Sequence, residues 1–99
     1  MCLFVYIHEY IITHYANIIV MITMYSTTWC GYCHMAKAYF DKLGVKYKDI
    51  DIEKHPAEAK IAVEKSGQMG VPVIDIDGNI LVGFDRPQID LLLREKKLI

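Results

Sequence analysis

Two cysteines, Cys30 and Cys33, separate an apolar strand-like run from a helix-like stretch, and this junction constrains the chain more than any other feature. The local sequence reads Met24-Tyr25-Ser26-Thr27-Thr28-Trp29-Cys30-Gly31-Tyr32-Cys33-His34-Met35-Ala36-Lys37. Residues three apart on a helix share a face, so sulfurs at this spacing can approach bonding distance. The first cysteine falls at the helix N-terminus, where unpaired backbone N–H groups and the helix dipole favour a thiolate. The pattern predicts a reversible dithiol/disulfide couple.

Ninety-nine residues allow one small domain and leave little room for a second core. A formal net charge of −1 gives no reason to expect a nucleic acid or an anionic membrane as partner. Three cysteines, with Cys2 isolated from the close pair, do not form the disulfide framework of a small secreted domain. Neither the basic n-region nor the small-residue cleavage site of an export signal is visible, so the expected compartment is the cytoplasm.

Residues 1–20 read differently from the rest. They are apolar and aromatic-rich, and the first lysine of the chain is Lys37. His8, Glu9, His14 and Asn17 interrupt the run, which argues against a membrane-spanning helix. A surface-lying segment, an added edge strand and an unneeded extension all fit residues 1–20; we expect an extension dispensable for chemistry, with residues 21–99 as the working domain. A chain beginning at Met21 is therefore expected to keep its fold and redox activity.

From Met21 onward the pattern alternates. Ile22 to Ser26 predicts a buried strand, and Gly31 to Leu43 a helix with Ala36, Phe40 and Leu43 facing inward. Gly44 ends that helix. Val45 to Asp51 predicts a second strand, and His55-Pro56 starts a second helix that stops at Ser66-Gly67. Val73 to Asp75 and Ile80 to Val82 predict short strands joined at Asp77-Gly78, a hairpin signal. A last helix starts near Arg86-Pro87, with Ile89, Leu92 and Leu93 on its buried side. The fold class is α/β, in the order β-α-β-α-β-β-α.

Three landmarks, Trp29-Cys30-Gly31-Tyr32-Cys33, Gly70-Val71-Pro72-Val73 and Val82-Gly83-Phe84-Asp85, give residues 22–93 their resemblance to the glutaredoxin branch of the thioredoxin-fold redoxins. Gly67-Gln68-Met69-Gly70-Val71-Pro72 and Gly83-Phe84-Asp85-Arg86-Pro87 look most like small bacterial glutaredoxin-like proteins. They are also similar to the redoxins that serve ribonucleotide reductase, which carry Gly-Phe-Arg-Pro after the last strand. The resemblance implies a thioredoxin-like fold: a four-stranded mixed sheet flanked by three helices, with the cysteines at the end of the first strand.

The resemblance also implies roles. Cys30, the more exposed sulfur, attacks a target disulfide, and Cys33 resolves the mixed disulfide. Trp29 stands as an aromatic wall beside the attacking sulfur and Tyr32 covers one side of the pair. A cis bond before Pro72 sets it against the sulfurs and leaves the backbone of Val71 to pair with an extended substrate. Gly83, Phe84 and Asp85 complete the substrate-binding set. Expected partners are disulfide-containing proteins or glutathionylated substrates, with glutathione or thioredoxin reductase as the electron source. No cofactor is expected to be bound permanently, and the protein is expected to be a monomer without membrane or nucleic-acid partners. Two departures weaken the case for glutathione. Thr27 stands where many glutaredoxins carry a lysine. Phe84 and Arg86 disturb the glycine pair and the acidic position that hold the glutathione amine.

The same cysteine pair is compatible with two other chemistries. Cys30-Gly31-Tyr32-Cys33-His34 matches the attachment pattern of c-type haem, but without an export signal His34 reads as a partly solvated residue of the first helical turn. His55 and the histidines of the extension carry no metal-ligand spacing. The alternative function is a [2Fe–2S] cluster carrier bridging two protomers, with which Gly31 is compatible; a single cysteine pair supplies no complete ligand set by itself. Asp49, Asp51 and Glu53 read as solvating charge, and Arg86 as a helix-start residue paired with Asp85 or Asp90.

Overall fold

The computed structural model describes residues 21–99; the expectations for residues 1–20 lie outside the described residues. Within them the order is β1 (Ile22–Ser26), α1 (Gly31–Leu43), β2 (Lys48–Asp51), α2 (Pro56–Ser66), β3 (Val73–Ile76), β4 (Asn79–Val82) and α3 (Arg86–Glu95). The strands form one sheet in the order β2-β1-β3-β4. β1 runs parallel to β2, as the α1 crossover between them requires, and antiparallel to β3. β3 and β4 close as the expected hairpin, with Asp77 and Gly78 both at positive φ (52° and 91°), the geometry of a type I′ turn.

Strand alternation assigns the two faces of the sheet. Met24 pairs with Ile74 and Ile22 with Ile76, and these four side chains join Ala36 and Phe40 of α1 and Ile89 and Leu93 of α3 in the larger core. The intervening pair, Tyr25 with Val73, packs on the opposite face with Ile50 and Ala62 of α2. One helix therefore covers one face and two helices cover the other.

β2 is shorter than the sequence implied. Gly44 turns left-handed (φ 73°) and the N–H of Val45 reaches back to the carbonyl of Phe40 at 3.1 Å, so the helix cap uses the backbone the strand would have needed. Val45 nonetheless packs into the larger core. At the end of α3 a lysine performs the same turn: Lys97 has φ 60° and Leu98 N–H bonds the carbonyl of Leu93 at 2.8 Å, which lets Leu98 fold back onto the core. Among the described residues, no helix is long and apolar enough to cross a membrane.

Candidate active site

Three loops meet at one end of the sheet. β1 ends at Ser26, and Thr27 to Trp29 lead into α1. Pro72 precedes Val73, the β3 partner of Tyr25, and Gly83 follows Val82, the β4 partner of Val73. The N–H of Gly83 donates to the carbonyl of Pro72 at 2.9 Å, tying two of the loops together. Gly83 does so at φ +81°, a conformation that side chains disfavour.

Cys30 is the N-cap of α1. Its backbone is extended (φ −84°, ψ 112°), and its Sγ accepts the N–H of Cys33 at 3.1 Å. Sulfur thus occupies the place usually taken by a serine or aspartate oxygen, where an orphan helix N–H and the positive end of the helix dipole converge. Both cysteines are free thiols. Cys30 is 6% exposed and Cys33 fully buried, so the first sulfur is the outer of the two while still mostly enclosed. Burial pushes the Cys33 thiol up to about 12; a hydrogen bond with Cys30 adds to the rise, while a backbone hydrogen bond from Thr27 and the charge of Lys37 oppose it.

The aromatic residues beside the pair stay outside the core. Trp29 is 71% and Tyr32 64% exposed, so each presents its ring to solvent. His34 is exposed as well and bridges back across the turn, with Nε2 2.7 Å from the carbonyl of Thr28. The Val71–Pro72 peptide bond is cis and Pro72 is buried. Val71 is half-buried, and its backbone has no backbone partner among the described residues.

The loop before Val71 contains a brace that the sequence did not announce. The side chain of Gln68 satisfies Gly70 on both sides: Oε1 accepts the Gly70 N–H and Nε2 donates to the Gly70 carbonyl, while Ser66 Oγ anchors Nε2 from behind. An amide two residues earlier has the same donor–acceptor pair as a neighbouring strand, which is the only sequence signal available for this contact.

The Gly83-Phe84-Asp85-Arg86 stretch is fixed by contacts of its own. Phe84 packs against the larger core, edge-on to Tyr39 with ring centroids 5.8 Å apart. Asp85 is the N-cap of α3, accepting the N–H of Gln88 at 3.3 Å. The Arg86 guanidinium sits 4.5 Å above the Tyr39 ring instead of pairing with Asp85 or Asp90. Asp90 accepts the Tyr39 hydroxyl. A flat cation finds a better seat on an aromatic face than on a carboxylate already used as a cap.

Asp49 also departs from the reading of it as solvating charge. It accepts Ser26 Oγ at 2.6 Å through one oxygen and the Lys37 ammonium at 2.7 Å through the other. Asp51 is a turn residue, taking the N–H of Glu53 at 2.9 Å. Thr27 Oγ1 is buried without a hydrogen-bond partner among the described residues. No group of three His, Cys, Asp or Glu side chains among those residues is arranged to hold a metal ion.

Known proteins share this arrangement. A family model described as Glutaredoxin matches residues 22–81. An uncharacterised glutaredoxin-like 8.6 kDa protein in a rubredoxin operon of Clostridium pasteurianum is 39% identical over 75 residues, covering 76% of this chain and all of that one. Glutaredoxin 3 of Escherichia coli (strain K12) is 33% identical over 64 residues, 65% of this chain and 77% of that protein. Among solved structures, the glutaredoxin-like protein NrdH-redoxin from Escherichia coli superposes with a TM-score of 0.65 at 28% identity, over 73% of this chain and 93% of that one. A buckwheat glutaredoxin–glutathione complex superposes at 0.66 and 27%, over 88% and 87%. With its dithiol on the first helix turn and its sheet in the shared topology, this chain belongs to the glutaredoxin family.

Proposed function

We propose that the protein is a dithiol thiol–disulfide oxidoreductase that reduces disulfides in proteins or mixed disulfides of small thiols. The hydrogen bond from Cys33 N–H to Cys30 Sγ at the mouth of α1 carries this reading, with the second sulfur fully buried behind it. Cys30 attacks as the thiolate on one sulfur of the target, forming a mixed disulfide and releasing the other target sulfur as a thiolate. Cys33 then gives up its proton, attacks Cys30 Sγ, and expels the bound target as a thiolate. Two electrons pass to the target and the internal Cys30–Cys33 disulfide closes.

An extended substrate strand would pair with the free backbone of Val71, beside the exposed rings of Trp29 and Tyr32. The electron donor we assign is a thioredoxin-reductase-like enzyme or a small thiol other than glutathione. Thr27 offers no ammonium, Asp85 is engaged as a helix cap and Arg86 is stacked on Tyr39. We place the protein in the cytoplasm as a monomer. Turnover of an insulin-type protein disulfide, coupled separately to thioredoxin reductase and to glutathione with glutathione reductase, tests the reading. NADPH oxidation with the first donor and much less with the second is expected. Absence of turnover with both, together with a Cys30 inert to alkylation in the reduced protein, overturns it.

A further inference from the structure

Behind the second sulfur lies a chain of polar groups that the exchange chemistry described so far does not use. Cys33 and Lys37 are four residues apart on α1 and so lie on one helix face. Lys37 is only half-exposed, and its side chain turns under the helix toward the sheet to meet Asp49 of β2 at 2.7 Å. Asp49 is held in turn by Ser26 of β1, a residue 1% exposed, at 2.6 Å. Each carboxylate oxygen of Asp49 therefore already has a donor, which leaves it poorly placed to act as a base. An ammonium has three donors and a full charge. Tethered in this way, it is held on the sheet side of α1, the helix face that also carries Cys33.

Given the exchange reaction assigned to this site, we propose that Lys37 is a positioning residue for the resolving step: its ammonium, tethered through Asp49 to Ser26, stabilises the Cys33 thiolate as it forms beneath the mixed disulfide. In that step the Cys33 S–H bond breaks and its proton passes to water. The new thiolate attacks Cys30 Sγ, the bond between Cys30 and the target breaks, and the departing thiolate takes a proton from water. Burial alone opposes the first event, because a bare thiolate is costly in an apolar site. A fixed cation four residues away offsets part of that cost. The charge of Lys37 favours the Cys33 thiolate, and the thiolate in turn favours the charged form of Lys37. The groups that face this pair are Cys30 on α1, the Thr27 backbone in the preceding loop, Asp49 on β2 and Tyr47 just before it. Pro72, Val73 and Ile74, across the sheet, bring no titratable side chain.

The two steps can be separated in one experiment. Mixing the reduced full chain, carrying Cys2→Ser throughout so that Cys30 and Cys33 are its only thiols, with one equivalent of 5,5′-dithiobis(2-nitrobenzoate) releases a first coloured thiolate when Cys30 attacks the reagent and forms a mixed disulfide. A second follows when Cys33 resolves it. In Lys37→Met the second phase should slow about threefold near neutrality, and its rise with pH should move to higher pH by the equivalent amount. The first phase should stay within about twofold of the parent, and Lys37→Arg should recover most of the loss because it keeps the charge. Lys37→Gln carries the same readout should the methionine variant fail to fold. A second phase of parental rate and pH profile in the neutral variants overturns the proposal, as does equal slowing of both phases. If Cys33→Ser still yields two equivalents, or yields none, the exchange mechanism itself is wrong, and that outcome differs from either of the others.

Discussion

Removing the buried thiol should change how the fold responds to alkali. Cys33 is fully buried and its thiol is raised from the ordinary 9.0 to about 12, with burial the first cause and the Cys30 hydrogen bond the second. The folded value lies above the unfolded one. The contribution of Cys33 to stability is therefore whole below pH 9 and is lost as pH climbs from 9 toward 12, because only the unfolded chain gives up the proton there. One proton corresponds to about 1.4 kcal/mol per pH unit in that window, so the stability gap between the parent and Cys33→Ala should shrink by about 2 kcal/mol from pH 9 to pH 10.5. With an m-value of about 1 kcal/mol/M for so small a domain, the two urea midpoints should converge by about 2 M. Raised groups elsewhere, Lys37, Tyr47 and Lys65, titrate in both chains and largely cancel in the difference. Unfolding should be followed by far-ultraviolet circular dichroism under a phosphine reductant, since the single tryptophan, Trp29, is solvent-exposed and would report poorly. A gap that stays constant across the range would mean that Cys33 titrates alike in both states, and the burial argument would fail.

Cys30→Ser should abolish all exchange in the coupled assays, whereas Cys33→Ser should lose protein-disulfide reduction and keep one-cysteine release of a small thiol; equal activity of both variants would contradict the order of attack. Phe40→Ala empties a fully buried ring site beside Met24 and Ile74, and a loss of about 3–5 kcal/mol in urea unfolding is expected. Asp85→Ala removes the cap of α3 and should cost about 1 kcal/mol in urea unfolding. Anaerobic incubation with iron, sulfide and glutathione should leave the protein colourless and monomeric by size analysis; visible absorbance in a dimer would favour the cluster-bridging alternative instead.

The elements that could be read from the sequence are those in which local chemistry and tertiary packing agree. Ile22–Ser26 and Gly31–Leu43 fall where the apolar runs, the cysteine cap and Gly44 place them, because each signal needs only neighbouring residues to act. The hairpin at Asp77-Gly78 is legible for the same reason. Val45 to Tyr47 shows the limit. Its residues suit a strand, yet the Val45 N–H is already used by the carbonyl of Phe40, and composition cannot reveal which of two partners a backbone group takes. Leu98 returns to the core through a left-handed lysine, a conformation that no residue preference signals.

At the site itself the same division separates the sulfurs from their surroundings. Cys30 and Cys33 are fixed by spacing within one helix turn, so their relation is local and was available from four letters. Asp49 lies 23 residues from Ser26 and 12 from Lys37, and its role exists only once β2 is laid parallel to β1 beneath α1. Arg86 is a stronger case, since the motif offered two acids within four residues while the fold offered an aromatic ring from another helix. The ring prevails because Asp85 is committed to Gln88 N–H and Asp90 to the Tyr39 hydroxyl before either can pair with the guanidinium. Tyr39 thereby becomes the common surface for Phe84, Arg86 and Asp90, and locks the loop after β4 onto α1. A loop held in that way presents Gly83 to Pro72 at a fixed distance from the helix that carries the dithiol. Phe84 and Arg86, which stand apart from the pattern expected for glutathione binding, thus hold this edge of the site in place.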